Sequence, residues 1–266
     1  MINISVVLYN TSKNDIRRII KTLQGYKHLN KLYLIDNSPY ENIELKKLKK
    51  NKIRYIFNAK NLGYGKAHNI AIEDSILNKV EYHLVLNPDV YFSNKILDEI
   101  KDFMDKNNDI GQLLPKTLYP NNEIQYNYRM LPTPFILFSR AFLPEFFYKT
   151  INDKYELKNF NNNKLVYAPS LSGCFMFMRV SVLKKIGIFD ERFFMYLEDV
   201  DLSRRIHLNS KTVYYPFVSI THRHEKASYN NLKMKIIHII NAIKYFNKYG
   251  WFFDSERKRV NKNFIK

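Results

Sequence analysis

One cysteine, Cys174, is all the thiol chemistry that this sequence of 266 residues offers. It cannot build an intrachain disulfide framework, and that poverty fits a reducing compartment. Long apolar runs are missing as well. No stretch supplies the roughly 18 uninterrupted apolar residues that a membrane-crossing helix requires. The most apolar segment, LPTPFILFSRAFLPEFF (131–147), is cut by three prolines and carries Arg140 and Glu145. The opening residues, MINISVVLYN, lack the basic and apolar regions of a secretory leader, so none is expected. Zinc-finger spacings and RNA-recognition signatures are absent, and no internal repeat is found.

Acidic residues are scarce: 25 Asp and Glu face 43 Lys and Arg, a net charge of +18. The excess is uneven. Residues 230–266 hold nine Lys and Arg against Asp254 and Glu256, so +7 falls in the last 37 positions. Such a segment suits nucleic acid, an anionic membrane or a phosphorylated substrate, or is simply a solvated lysine-rich surface. What the chain has in quantity is apolar material, 45% of residues with 15% aromatic, enough for one large core.

The periodicities alternate. ISVVLYN (4–10), KLYLIDNS (31–38), KIRYIFN (52–58) and EYHLVLNPDV (81–90) read as buried strands. Between them lie a helix at 11–26, capped by Ser12 or Asn14, and a Gly-containing loop at 61–76 that opens into a second helix. NKILDEIKDFMDKN (94–107) is an amphipathic helix. Strand–helix alternation predicts an α/β fold with a mostly parallel sheet flanked by helices. The second half is less regular. Residues 120–165 read as loops with short helices, 171–179 as a strand, DVDLSRRIHLNS as a helix and KTVYYP as a strand. NLKMKIIHIINAIKYFNKYG makes a C-terminal amphipathic helix. The expected division is a nucleotide-binding half (1–118), an acceptor half of the same domain (119–229) and a basic C-terminal helix and tail (230–266).

Ligands of open α/β sheets bind beyond the carboxyl ends of the strands. Asn10, Asp36-Asn37, Asn58 and Asn87-Pro88-Asp89 each end a predicted strand there. A second polar cluster, Glu198, Asp199 and Asp201, follows the aromatic lead-in FFMY (193–196). Acids in a first helical turn complement the helix dipole. That accounts for Asp201, through capping or pairing with Arg204 or Arg205, but not for acids set behind bulky apolar residues.

Seven segments together resemble family 2 glycosyltransferases: SVVLYN, IDNS (35–38), NAKNLGYGKAHNIAI (58–72), LVLNPDV (84–90), LSGCFMFMR (171–179), IGIFDERFFMYLEDVDLSRRI (186–206) and ITHRHEKAS (220–228). The chain looks most like the rhamnosyltransferase-like branch that builds bacterial surface polysaccharides. The resemblance implies a GT-A, Rossmann-like fold and inverting transfer of a sugar from a nucleoside diphosphate donor to a saccharide acceptor. It implies a divalent cation, Mn²⁺ or Mg²⁺, held by Asp89 with His222. Asn87 stands where many members have a second aspartate, and an amide brings no charge. His222 would complete the coordination or touch the diphosphate; its spacing to Ser228 fits better than that of His224.

The resemblance places Val7, Tyr9, Asp36, Asn37, Asn58, Gly63, Asn69 and Asn87 at the donor, with the glycines of the 63–65 turn allowing close backbone approach. This is not a P-loop, since the Gly-Lys-Ser/Thr ending is missing. Lys66 faces the diphosphate or solvent. Asp199 takes the role of general base, which burial beside other acids suits. Glu198 binds the acceptor or orients the loop, Tyr196 walls the pocket and Gly173 leaves room for the sugar. Cys174 is not expected to act as a nucleophile, because inversion needs no covalent intermediate.

The implied partners are a dTDP- or UDP-sugar, rhamnose first with galactose, glucose or an N-acetylhexosamine as alternatives, and a polyprenyl-diphosphate-linked acceptor in capsule or O-antigen (lipopolysaccharide) synthesis. No nucleic acid is expected. The enzyme would work in the cytoplasm, peripherally at the inner face of the membrane. The rival reading is a catalytically inactive nucleotide-sugar- or glycan-binding module of the same fold. Leu232, Ile236, Ile239, Ile240, Ile243 and Phe246 form an apolar stripe that packs on the domain or rests on lipid. Trp251, Phe252 and Phe253 before RKRVNK read as an interfacial anchor on an anionic leaflet.

Overall fold

A computed structural model describes residues 1–48, 52–223 and 232–264. β1 (Ile2–Leu8), β2 (Leu29–Asp36), β3 (Ile53–Phe57) and β4 (Tyr82–Leu86) run parallel in the order β3-β2-β1-β4. The register pairs Leu8 with Asp36 and Asp36 with Phe57, so the polar residues after each strand emerge side by side. α1 (Lys13–Leu23) starts at Ser12, whose hydroxyl accepts from the Asp15 N–H, and buries Ile16, Ile19 and Leu23. α2 (Ile43–Lys46) is a single turn before β3. α3 (Tyr64–Leu77) and α4 (Lys95–Lys106) flank the sheet where the periodicity placed them.

The sheet continues past β4 through β9 (Phe175–Arg179), β6 (Ile110–Leu118), β10 (Lys211–His222) and the short β5 (Val90–Tyr91). β9 is antiparallel to both neighbours, and β5 is antiparallel to β10. The fold is therefore the expected α/β arrangement, with a sheet that is parallel on one side and mixed on the other. β6 is a strand the sequence reading lacks. Its Pro115 argues against a central strand. The structure admits it because β10 bulges there: Tyr215 pairs with Pro115 but Ser219 with Lys116, so 216–218 are extra residues on β10. The same bulge carries β10 past Pro216, beyond the strand end expected there, to His222.

β7 (Tyr128–Arg129) pairs with β8 (Ser170–Leu171) in a small second sheet. Between them the expected loops contain α5 (Pro134–Phe142) and α6 (Glu145–Tyr155). α7 (Val180–Ile186) and α8 (Glu198–His207) follow β9. α9 (Leu232–Tyr249) packs Tyr245 and Phe246 against Leu137, Phe193, Leu197 and Val200. The segment after it is not a loose tail. Residues Ser255–Lys262 form α10 with Arg257, Val260 and Asn261 buried. Arg204 of α8 clamps Asp254 with two 2.7 Å bonds, and the Asn261 amide bonds the backbone of Leu131 at 2.9 Å on both sides. No helix among the described residues is long and apolar enough to cross a membrane.

A polar thread runs through the core beneath β1. The Ser5 hydroxyl bonds His68 Nδ1 at 2.7 Å and His83 Nε2 at 2.8 Å, and Ser75 bonds His83 Nδ1 at 2.7 Å. Burial pushes His83 down to about 3 and His68 well below the ordinary imidazole value.

Candidate active site

The carboxyl ends of β1–β3 build one rim. Asn37 is buried, accepts from the Asn58 amide at 2.9 Å and donates to the Gly63 carbonyl at 3.0 Å. Asn61 accepts from the Gly63 N–H at 2.9 Å, closing the loop on itself. Gly63 has φ +85°, and a side chain there would collide with the Phe194 backbone. Tyr64 N–H donates to the Phe194 carbonyl at 2.8 Å, so this loop is stitched to the segment leading into α8. Val7 is half-buried at the end of β1, and Tyr9 beyond it is exposed. Asp36 holds the turn: its oxygens accept from Ser38 N–H at 2.9 Å and Tyr55 hydroxyl at 2.8 Å.

The second rim is made by the pairing of β5 with β10, which aligns Val90 with His222. His222 Nε2 lies 3.3 Å from Asp89 Oδ2. Gln125 fixes the ring from behind, its Oε1 3.1 Å from Nδ1 and its Nε2 donating to the His222 carbonyl at 2.6 Å. Arg18 of α1 donates to the carbonyls of Pro88 and Val90, holding the turn that presents Asp89. Burial disfavours a charged ring here, but Cys174 and the Asp89 carboxylate outweigh it and lift His222 to about 10. A carboxylate oxygen and an imidazole nitrogen facing each other are a donor set that fits a borderline divalent cation. Among the described residues no group of three or more His, Cys, Asp or Glu side chains is arranged to hold a metal ion. Asp89 and His222 are the side chains here that would hold such a cation. His224 and Ser228 lie outside the described residues.

The third rim is the start of α8. Tyr196 and Leu197 both adopt left-handed backbone, φ 71° and 68°, which side-chain-bearing residues rarely do. Asn241 of α9 braces this turn, donating to the carbonyls of Met195 at 2.7 Å and Tyr196 at 3.4 Å. The strained turn delivers Glu198 and Asp199 into a cavity of about 270 Å³, whose wall also includes Tyr196, Arg129, Arg140 and His238. Asp199 Oδ2 accepts from the Gly173 N–H at 2.9 Å and Oδ1 from the Val200 N–H at 2.8 Å. Burial raises its pKa, and these two N–H groups moderate the rise. Glu198 is 5% exposed, and its Oε2 has no hydrogen-bond partner among the described residues. Burial and the adjacent Asp199 push it well above the ordinary carboxyl value. Asp201 points elsewhere, bonded to Arg205, Lys248 and Tyr249.

One residue joins the last two rims. The Tyr64 hydroxyl lies 2.9 Å from Asn87 Oδ1 and 2.7 Å from the Gly173 carbonyl. Gly173 in turn donates its N–H to Asp199. Its lack of a side chain serves this packing, since a Cβ would press on Asp199 at 3.3 Å.

Two expected residues stand apart. The Asn69 side chain bonds the backbone N–H and carbonyl of Phe189, at 3.1 and 2.9 Å, and so ties α3 to the 187–191 loop. Lys66 pairs with Glu191 at 2.6 Å. Cys174 is buried. Conversely, Tyr64, Arg18, Gln125, Arg129, Arg140, His238 and Asn241 take these places without being expected there from the sequence. Only Tyr64 lies inside a recognisable motif, beside Gly63; the others are brought in by tertiary packing.

The Glycosyl transferase family 2 model matches residues 4–187. The chain is 28% identical over 182 residues to an N-acetylglucosaminyl-diphospho-decaprenol L-rhamnosyltransferase of Mycobacterium tuberculosis, a match covering 64% of this chain and 58% of that protein. The chain thus spans little more than half the length of that curated relative. Among solved structures, S. aureus TarS 1-349 superposes with TM-score 0.59 at 16% identity, covering 99% of this chain and 70% of the other. GalNAc-T7 with UDP, GalNAc and Mn²⁺ gives 0.60 at 15%, covering 83% and 43%. At such identities the likeness speaks to the fold, which is GT-A.

Proposed function

The chain belongs to glycosyltransferase family 2, and from that premise we propose that it is an inverting, cation-assisted enzyme that moves a sugar from a nucleoside diphosphate to a lipid-linked saccharide. The observation that carries this reading is the mechanical link between two half-sites. A candidate cation pair, Asp89 with His222, and an acidic pair in a walled cavity, Glu198 with Asp199, are joined through Asn87, Tyr64 and Gly173. A transfer reaction needs charge neutralised at a departing diphosphate and a proton removed from an incoming hydroxyl. The two half-sites divide those tasks.

The bound cation would supply Lewis-acid stabilisation of the leaving diphosphate, with Asp89 and His222 holding it. The 58–63 loop, locked by Asn37 and Asn58, forms the floor for the nucleotide. Asp199 takes the proton of the acceptor hydroxyl; its burial raises its basicity, while the Gly173 and Val200 N–H groups fix both oxygens in place. Glu198, with one oxygen unpartnered among the described residues, orients the acceptor. Attack is direct, and no protein nucleophile takes part. The M. tuberculosis relative supports a rhamnosyl donor and a polyprenyl-diphosphate-linked acceptor. On this reading the enzyme works peripherally at the inner face of the cell membrane, in capsule- or O-antigen-type synthesis.

The test is a panel of dTDP-, UDP- and GDP-sugars with Mn²⁺ or Mg²⁺, read as released nucleoside diphosphate. Cation-dependent release from one matched donor is expected. A protein that binds a nucleotide sugar tightly yet releases nothing with any acceptor is the inactive module instead.

A further inference from the structure

Among the described residues, an exposed apolar surface lies beside the acceptor cavity. α5 exposes Phe135, Phe138 and Phe142, spaced so that they share one helix face. α9 exposes Ile236, Ile240 and Ile243 at the same kind of spacing. The two helices meet in a groove of about 150 Å³, walled by Phe138, Phe142, Ile239, Ile243 and Trp251. The start of α6 adds Phe146 and Phe147, 77% and 64% exposed, and the turn after α9 adds Phe252 and Phe253, 83% and 96% exposed. Leu137, Ala141 and His238 wall both this groove and the acceptor cavity, so the two open side by side.

The charge on these helices selects the occupant. α5, α6 and α9 together carry seven Lys and Arg against two acids, and α9 carries no acidic residue. Lys235 lies 5.1 Å from the Phe142 ring centre, an ammonium at the edge of the aromatic face. A second copy of the chain would set like charge against like charge across a two-fold contact. Aromatic rings rimmed by lysines match the headgroup region of an anionic bilayer, where rings bury and cations meet phosphates.

We propose that the aromatic face of α5, α9 and the turns beside them docks into the interface of an anionic membrane, setting the mouth of the acceptor cavity at the lipid surface. The face takes in Trp251, Phe252 and Phe253, and the helix after them, α10, is packed into the domain through Arg257, Val260 and Asn261. The proposal takes its purpose from the reading of a lipid-linked acceptor, but its test does not depend on catalysis.

Trp251 is the sole tryptophan and lines the groove, so its fluorescence reports on this face alone. Vesicles of phosphatidylcholine with about 30 mol% phosphatidylglycerol, carrying brominated acyl chains, should quench it. Phe138→Ser/Phe142→Ser and, separately, Phe252→Ser/Phe253→Ser should weaken vesicle partition at least tenfold. Both should leave the thermal midpoint and nucleoside diphosphate release on a water-soluble acceptor near wild type. The Phe252/Phe253 pair, being almost fully exposed, keeps the test valid should the α5 variant misfold. Absence of quenching at any lipid concentration would overturn the proposal. So would binding that ignores both variants and vanishes at about 1 M salt, where charges are screened beyond ~3 Å. A dimer broken by the same substitutions, without vesicle binding, would assign the face to a second copy. Loss of all release with quenching intact would instead count against the proposed reaction and leave the docking standing.

Discussion

Replacing Asp199 by Asn separates its chemistry from its structural role. In the native site both carboxylate oxygens accept backbone N–H groups, from Gly173 at 2.9 Å and Val200 at 2.8 Å. An amide keeps one acceptor and turns its NH₂ toward the other N–H. A buried donor left without a partner costs about 1–3 kcal/mol. Against that, the substitution removes a carboxylate that burial already penalises and that sits beside Glu198. The two effects oppose each other, so the thermal midpoint should move by only a few degrees, at about 2–4 °C per kcal/mol for a chain of this size. Loss of a general base lowers turnover by roughly 10²–10⁴-fold, about 3–5 kcal/mol of barrier. Donor affinity, measured by calorimetry with Mn²⁺, should stay near wild type.

A pH profile adds a second readout. Turnover needs the deprotonated base, so activity falls as pH drops through the raised pKa. The acid limb of the native enzyme should therefore lie above the ordinary aspartate range and belong to the Glu198–Asp199 pair as a unit. Asp199→Asn should lose that limb. Turnover within about threefold of wild type, or an unchanged acid limb, would remove Asp199 from the mechanism.

Three further outcomes follow from the geometry. Asp89→Ala should abolish cation-dependent donor binding and His222→Ala should raise the Mn²⁺ concentration required, both by calorimetry; undiminished turnover in excess EDTA would refute the shared ion. His83 has a folded pKa of about 3 against a reference value of 6.5. Below pH 6.5 the unfolded chain binds a proton that the folded one refuses, so stability is full above 6.5. It should fall by about 1.4 kcal/mol per unit toward pH 5, with His68 acting in the same direction; urea midpoints that stay level from pH 7 to 5 would contradict this. Asp254→Asn breaks a bidentate bond to Arg204, which is 1% exposed. It should destabilise the protein by about 3–5 kcal/mol, and a loss below 1 kcal/mol in denaturant titrations would show that α10 is not tied to α8.

The parts of the fold legible in the sequence are those whose signal is local. β1 to β4 announce themselves as short apolar runs, β-branched most of all in β1, and Ser12 caps α1 as its position suggests. The motif residues Asn37, Asn58 and Gly63 do meet in space. β6 hides because Pro115 speaks against a central strand, and the bulge that tolerates it lies about a hundred residues away on β10. Asn241 is one polar residue on an amphipathic helix, and nothing nearby in sequence shows that it braces a left-handed turn 45 and 46 residues earlier. The basic run RKRVNK reads as a free tail because its charges are local while its anchors, Arg204 and Leu131, are not. Arg129, Arg140 and His238 reach the cavity around Glu198 and Asp199 from three elements that the sequence leaves unconnected.

The central claim is direct transfer by two linked half-sites, and the anomeric configuration of the product tests it most directly. The matched nucleotide sugar, a soluble acceptor and Mn²⁺ should give one glycoside per nucleoside diphosphate released, with the anomeric proton coupling of the inverted configuration in the NMR spectrum. Retained configuration would mean a double displacement or a same-face return in place of direct attack from the opposite face, and would contradict the account.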